Sequence, residues 1–93
     1  MSGIEVTAVG GHEFTVRTGG HSFAVTATES LVEELGARDA ATLVRASFEY
    51  LLAREPAGSI LPRFDLGIIE RYFPEWRNAM RRMATRETFF SEG

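Results

Sequence analysis

GGHEFTVRTGGHSFAVT, residues 10–26, states one short pattern twice. Gly10-Gly11-His12-Glu13-Phe14-Thr15-Val16 is followed nine residues on by Gly19-Gly20-His21-Ser22-Phe23-Ala24-Val25, and both copies fit G-G-H-x-F-x-V. Each copy alternates apolar and polar residues, the period of a half-buried strand. Ile4-Glu5-Val6-Thr7-Ala8 alternates in the same way, and glycine pairs separate the three runs. Glycine adopts the positive φ that tight hairpins require. The expectation is a three-stranded antiparallel meander over about residues 3–27.

The turns set the register. A two-residue Gly19-Gly20 loop places Thr18 opposite His21, Val16 opposite Phe23, Phe14 opposite Val25 and His12 opposite Ala27. All the Phe and Val side chains then share one face. In the first hairpin a two-residue Gly10-Gly11 loop would turn Ile4 and Val6 to the wrong face. A three-residue Val9-Gly10-Gly11 loop with a bulge corrects this, pairing Ala8 with His12, Val6 with Phe14 and Ile4 with Val16. Either way the chain's two histidines sit at opposite ends of a hairpin, about 20 Å apart at the usual strand rise. Ligands of one metal each lie about 2 Å from it. The histidines are therefore expected to mark two strand junctions and not a shared site.

Helical signals follow the strands. Ser30-Leu31-Val32-Glu33 has the form of a capping box, with Gly36 as its stop. Asp39 is placed to cap a second helix reaching about Arg54 and ended by Pro56, with Val44, Phe48, Leu51 and Leu52 inward and Leu43 and Ser47 beside them. Arg45 and Glu49 lie on its outer side, and Arg54-Glu55 reads as a surface pair. Ile60-Leu61-Pro62 reads as an apolar connector. Asp65 then caps a third helix, with Phe64 and Ile69 spaced as a hydrophobic staple. Pro74 disfavours helical backbone at Phe73, which predicts a break before a last helix. On that helix Trp76, Met80 and Met83 form the inward stripe, and Arg77, Arg81, Arg82 and Arg86 cover much of the other side.

Between Leu43 and Trp76, "LVRASFEYLLAREPAGSILPRFDLGIIERYFPEW" resembles a family of small bacterial proteins of unknown function. Its pattern is S-F-x-x-L-L-x-R-E-P, then S-I-L, then F-D-L-x-x-I-x-x-Y-F-P-E and an aromatic. The resemblance covers about a third of the chain and implies a strand region ahead of the shared string. It implies no activity, ligand or catalytic residue.

Composition narrows the chemistry. Ninety-three residues suit one domain, here divided into the meander, a helical part over about 29–86 and a tail at 87–93. There is no cysteine, which excludes disulfides, thiolate metal sites and cysteine nucleophiles. No apolar run reaches the ~20 residues of a membrane helix and no signal peptide is visible, so a cytoplasmic location without membrane association is expected. The net charge is −3, and all ten basic residues are arginine. Residues 1–60 hold four arginines against eight acids, whereas residues 71–86 hold five arginines against Glu75 alone.

His12, His21, Asp65, Glu70 and Glu75 are the acid–base candidates, but no hydrolase, metalloprotease or phosphate-loop spacing joins them. The glycine pairs do not precede helices, as phosphate cradles do. An α+β domain is thus expected: a three-stranded antiparallel meander packed on one face by three or four short helices. It is expected to bind no cofactor or metal and to act without catalysis, as an interaction or regulatory protein. Candidate contacts are Arg77, Arg81, Arg82 and Arg86 with Phe89 and Phe90, two aromatics placed to dock onto a partner or a second copy in a homodimer. The alternative is nucleic-acid binding through the four arginines.

Overall fold

The computed structural model describes residues 3–83. Three antiparallel strands open it: β1 (Glu5–Gly10), β2 (Glu13–Thr18) and β3 (His21–Thr26). A fourth strand, β4 (Arg63–Asp65), adds to the free side of β3 in parallel, completing a mixed sheet in the order β1-β2-β3-β4. The expected meander is present, and β4 extends it.

The β2–β3 register is the expected one. Thr18 faces His21, Val16 faces Phe23 and Phe14 faces Val25. Gly19 and Gly20 both have positive φ, 57° and 80°, as a type I′ turn demands. The first hairpin differs from the expectation. Val6 pairs with Val16, Ala8 with Phe14, and Gly10 with Glu13, with a bulge between Ala8 and Gly10. The loop is Gly11-His12, with Gly11 at φ 54° in its first position. Without the bulge this loop would set Val6 opposite Arg17 and turn β1 over. The extra residue restores Ile4 and Val6 to the face of Phe14 and Val16.

The helices pack on that face. α1 (Glu29–Leu35) is capped by Thr28, whose hydroxyl accepts from the Leu31 amide at 3.3 Å, and not by the expected Ser30. Both residues carry a capping hydroxyl, and the helix starts two residues earlier than the capping-box pattern placed it. Gly36 ends it as expected. α2 (Ala40–Leu52) begins at Asp39, whose carboxylate accepts from the Thr42 amide at 2.7 Å. Its buried side is Leu43, Val44, Ser47, Phe48 and Leu51. Phe48 stacks obliquely between Phe23 and Phe64, with ring centroids 5.1 and 5.9 Å away. On the outer side Arg45 reaches back to donate to the Ile4 carbonyl, tying α2 to the start of the sheet.

β4 holds the second half of the chain in place. The Ala24 amide donates to the Pro62 carbonyl at 2.8 Å, and Val25 pairs with Phe64. Asp65 then accepts from the Gly67 amide and caps a 3-10 turn, Leu66–Ile68, that passes into α3 (Ile69–Tyr72). The expected cap is therefore correct, but the helix it begins is shorter. Phe73, at φ −132° and ψ 85°, breaks the path before Pro74. A last helix, α4, occupies residues 76–83 among those described. Trp76 and Met80 are buried against α2, whereas Met83, expected to point inward, is 38% exposed. Trp76 and Met80 already fill the space over Ser47, so the stripe stops one turn short.

Candidate functional site

The residues singled out by sequence fall into separate places. His12 sits in the first loop and His21 at the start of β3, both exposed. The register puts them at opposite ends of the β2–β3 hairpin, six strand positions or about 20 Å apart. Among the described residues no three His, Asp or Glu side chains gather as a metal site. Asp65 is occupied by its cap, and Glu75 is exposed beside Pro74.

The arginines divide as well. Arg77 lies half-buried and grips Glu70 with two hydrogen bonds, Nη2 to Oε1 at 2.9 Å and Nε to Oε2 at 3.1 Å. Its Nη1 is 3.4 Å from a Glu34 carboxylate oxygen on α1. These bonds join α1, α3 and α4. The Arg77 hydrogen bond holds the Glu70 carboxyl below its ordinary range against the opposing effect of burial, with Arg77 and Arg81 charge adding to it. The same bond raises Arg77 above its ordinary value. Arg81 and Arg82 are exposed. Arg86, Phe89 and Phe90 lie outside the described residues.

Among the described residues a concavity lies elsewhere, past the C-terminal end of α2. It is an apolar groove of about 290 Å³. Buried Leu51, Phe64 and Ile69 form its floor, from α2, β4 and α3. Half-buried Ile60, Ile68 and Phe73 form its walls. Leu61 and Tyr72 stand at its rim, 47% and 66% exposed. Glu55 and Ser59 contribute polar atoms at one side.

Local chemistry explains why the groove exists. Pro56 stops α2, and the chain turns through a 3-10 segment, Ala57–Ser59, before β4. β4 is then fixed by its ladder, and α3 is cut after one turn by the Phe73-Pro74 junction. Three short elements converge on one helix end and cannot close over it. Arg54 does not pair with Glu55 as the sequence suggested. Its guanidinium lies 3.6 Å over the Tyr50 ring and donates to the Tyr50 carbonyl at 3.0 Å. Glu55 makes no ion pair among the described residues and is left at the groove.

Ile60-Leu61-Pro62, expected as an apolar connector, lines the groove through Ile60 and Leu61. The sequence carries a faint signal of it: two large apolar pairs, Ile60-Leu61 and Tyr72-Phe73, each stand directly before a proline, which disfavours helical backbone at the preceding residue. Among the described residues the groove presents no hydroxyl hydrogen-bonded to a base. Its chemistry is that of apolar contact, with one carboxylate and two hydroxyls to orient what enters.

Comparison with known protein families, with curated proteins and with solved structures finds no match for this chain.

Proposed function

We propose that the chain is a small non-catalytic interaction protein, of the bacterial cytoplasm, that receives an apolar side chain of a protein partner in the groove at the end of α2. The observation that carries this is the exposure of Leu61 and Tyr72 around an apolar floor. Water-facing apolar residues gathered at a concavity mark an interaction surface, whereas scattered ones do not. The groove's volume supports the same reading, since about 150 Å³ holds a benzene ring. A phenyl or isobutyl group fits together with part of the backbone that carries it.

The resemblance of residues 43–76 to a bacterial family adds support. Nine of the ten lining residues, all but Ile68, are named positions of the shared pattern. Exposed Leu61 and Tyr72 are among them, and burial gives no reason for either. We propose that the shared string marks this groove.

Nucleic-acid binding gains less. Arg77 is committed to Glu70 and Glu34, so the described part of the arginine face reduces to Arg81 and Arg82.

Selection from a random peptide display library tests the proposal. Retained peptides are expected to share a large apolar residue and to lose at least tenfold in affinity when Tyr72→Ser replaces the native chain. Retained peptides indifferent to Tyr72→Ser, Leu61→Ser and Ile68→Ser alike, or no retained peptide, would contradict it.

A further inference from the structure

β1 is a border of the sheet, and the register shows which of its backbone groups face outward. The His12 carbonyl, just ahead of β2, accepts from the Ala27 amide at 2.9 Å. His12, Phe14, Val16 and Thr18 therefore turn their N–H and C=O groups toward β3, and Glu13, Thr15 and Arg17 turn theirs toward β1. Thr15 faces Thr7 and Arg17 faces Glu5, so Thr7 and Glu5 complete that ladder. The N–H and C=O groups of Val6 and Ala8 point the other way, off the sheet. Among the described residues no hydrogen bond reaches them.

Proteins commonly blunt such an edge with proline, lysine, a bulge or a covering segment. Glu5–Ala8 holds no proline or lysine, and the bulge comes after Ala8. The helices also stop short of this border. Ala8 shares the core face of Phe14 yet is exposed, and Val6 on the same face is only half-buried.

Symmetry and chemistry select the occupant. A two-fold axis sets two copies of one strand antiparallel, and bonds then form between outward-facing residues alone. Pairing Val6 with Val6 of the second copy would set Ala8 against Ile4, whose carbonyl already accepts from Arg45 at 2.6 Å. Pairing Ala8 with Ala8 would run Val6 against Gly10, past the bulge. Pairing Val6 with Ala8 uses every outward group of both residues in both copies. It places Thr7 against Thr7 on the axis and Gly10 opposite the Ile4 end that Arg45 occupies. Charge agrees with this register. Glu5 falls opposite Val9, so the two Glu5 carboxylates lie about 14 Å apart along the strands.

We infer that two copies of this chain join β1 to β1 about Thr7, continuing the sheet across a two-fold axis. The incompletely covered Val6 and Ala8 side chains then meet at the seam. One short strand pair belongs with the weak interfaces, below about 1,200 Å², so the dimer forms only at high protein concentration. This seam is independent of the groove.

Charge exchange at the axis tests it with the full chain. Sedimentation of the native protein from micromolar to millimolar concentration is expected to show monomer passing to a species of twice the mass. Thr7 is exposed, so Thr7→Lys and Thr7→Glu leave the core untouched. Each alone sets like charges face to face and is expected to associate about fivefold more weakly than the native chain. Mixed one to one, the two are expected to recover the native affinity, which also shows that both have kept their fold. As native concentration rises, the Val6 and Ala8 amides are expected to exchange with deuterium more slowly. A native chain still monomeric at millimolar concentration overturns the inference. So do variants that dimerise as the native chain does, or a mixture that associates no better than either variant alone. Association that leaves the Val6 and Ala8 amides unprotected overturns it too.

Discussion

The indole Nε1 of Trp76 donates to the hydroxyl of Ser47 across 3.0 Å, and both residues are fully buried. The same hydroxyl faces the Met80 sulfur at 3.6 Å. One serine on the buried side of α2 thus satisfies the indole N–H that α4 brings into this part of the core. Removing a partner from a buried donor costs about 1–3 kcal/mol, more than the bond contributes net. Ser47→Ala is therefore predicted to destabilise the fold by that amount in urea unfolding, although the methyl it leaves is an ordinary core group. A loss under 0.5 kcal/mol would mean that the indole finds another acceptor.

Acid sensitivity follows from two carboxylates. The Thr42 amide, with help from the Thr42 hydroxyl, lowers Asp39, and the Arg77 hydrogen bond lowers Glu70. A carboxylate whose folded value is depressed contributes stability above its unfolded value, and that contribution is lost as pH falls through the folded one. The loss should therefore lie below the ordinary carboxylate range. In an Asp39→Asn/Glu70→Gln chain, the stability gap from the native protein is predicted to be full at neutral pH and to close in strong acid. Chemical unfolding across that range checks it, and a gap independent of pH contradicts it.

Tyr72 separates binding from stability. At 66% exposure it contributes little to the core. Tyr72→Ser is expected to move unfolding by no more than about 0.5 kcal/mol, the usual range for surface changes, while lowering affinity for groove-binding peptides. Comparable losses in both would make Tyr72 a packing residue.

The second hairpin rests on its turn. Gly20 has φ 80°, and a left-handed conformation costs about 1–2 kcal/mol at a residue with a Cβ. Gly20→Ala is predicted to lose that much in thermal or urea unfolding. Gly19→Asn should lose far less, since Asn is favoured in type I′ turns. Equal losses from both would argue against this turn type.

How much of this the chain discloses beforehand depends on how local the signal is. Phe14, Val16, Phe23 and Val25 alternate within a few residues of a glycine pair, so β2, β3 and their register are readable. Asp39, Pro56 and Pro74 act on their own neighbours, and their helix boundaries are readable too. Arg63-Phe64-Asp65 is too short to show a period, and its ladder partner is β3, some forty residues away, so β4 is hidden. The bulge at Ala8–Gly10 is hidden because three loop choices satisfy the same glycines. Thr28 and Ser30 offer the same hydroxyl. The groove is the least readable of all. Its floor and walls come from four segments that meet only after β4 has docked.

Methyl NMR of the native chain, titrated with a display-selected peptide, tests the groove most directly. Ile60, Leu61, Ile68 and Ile69 are predicted to shift together and saturably, with Val6 and Val44 unmoved. Shifts centred on the arginines of α4 or on the exposed sheet face, with those four methyls unchanged, would contradict the account.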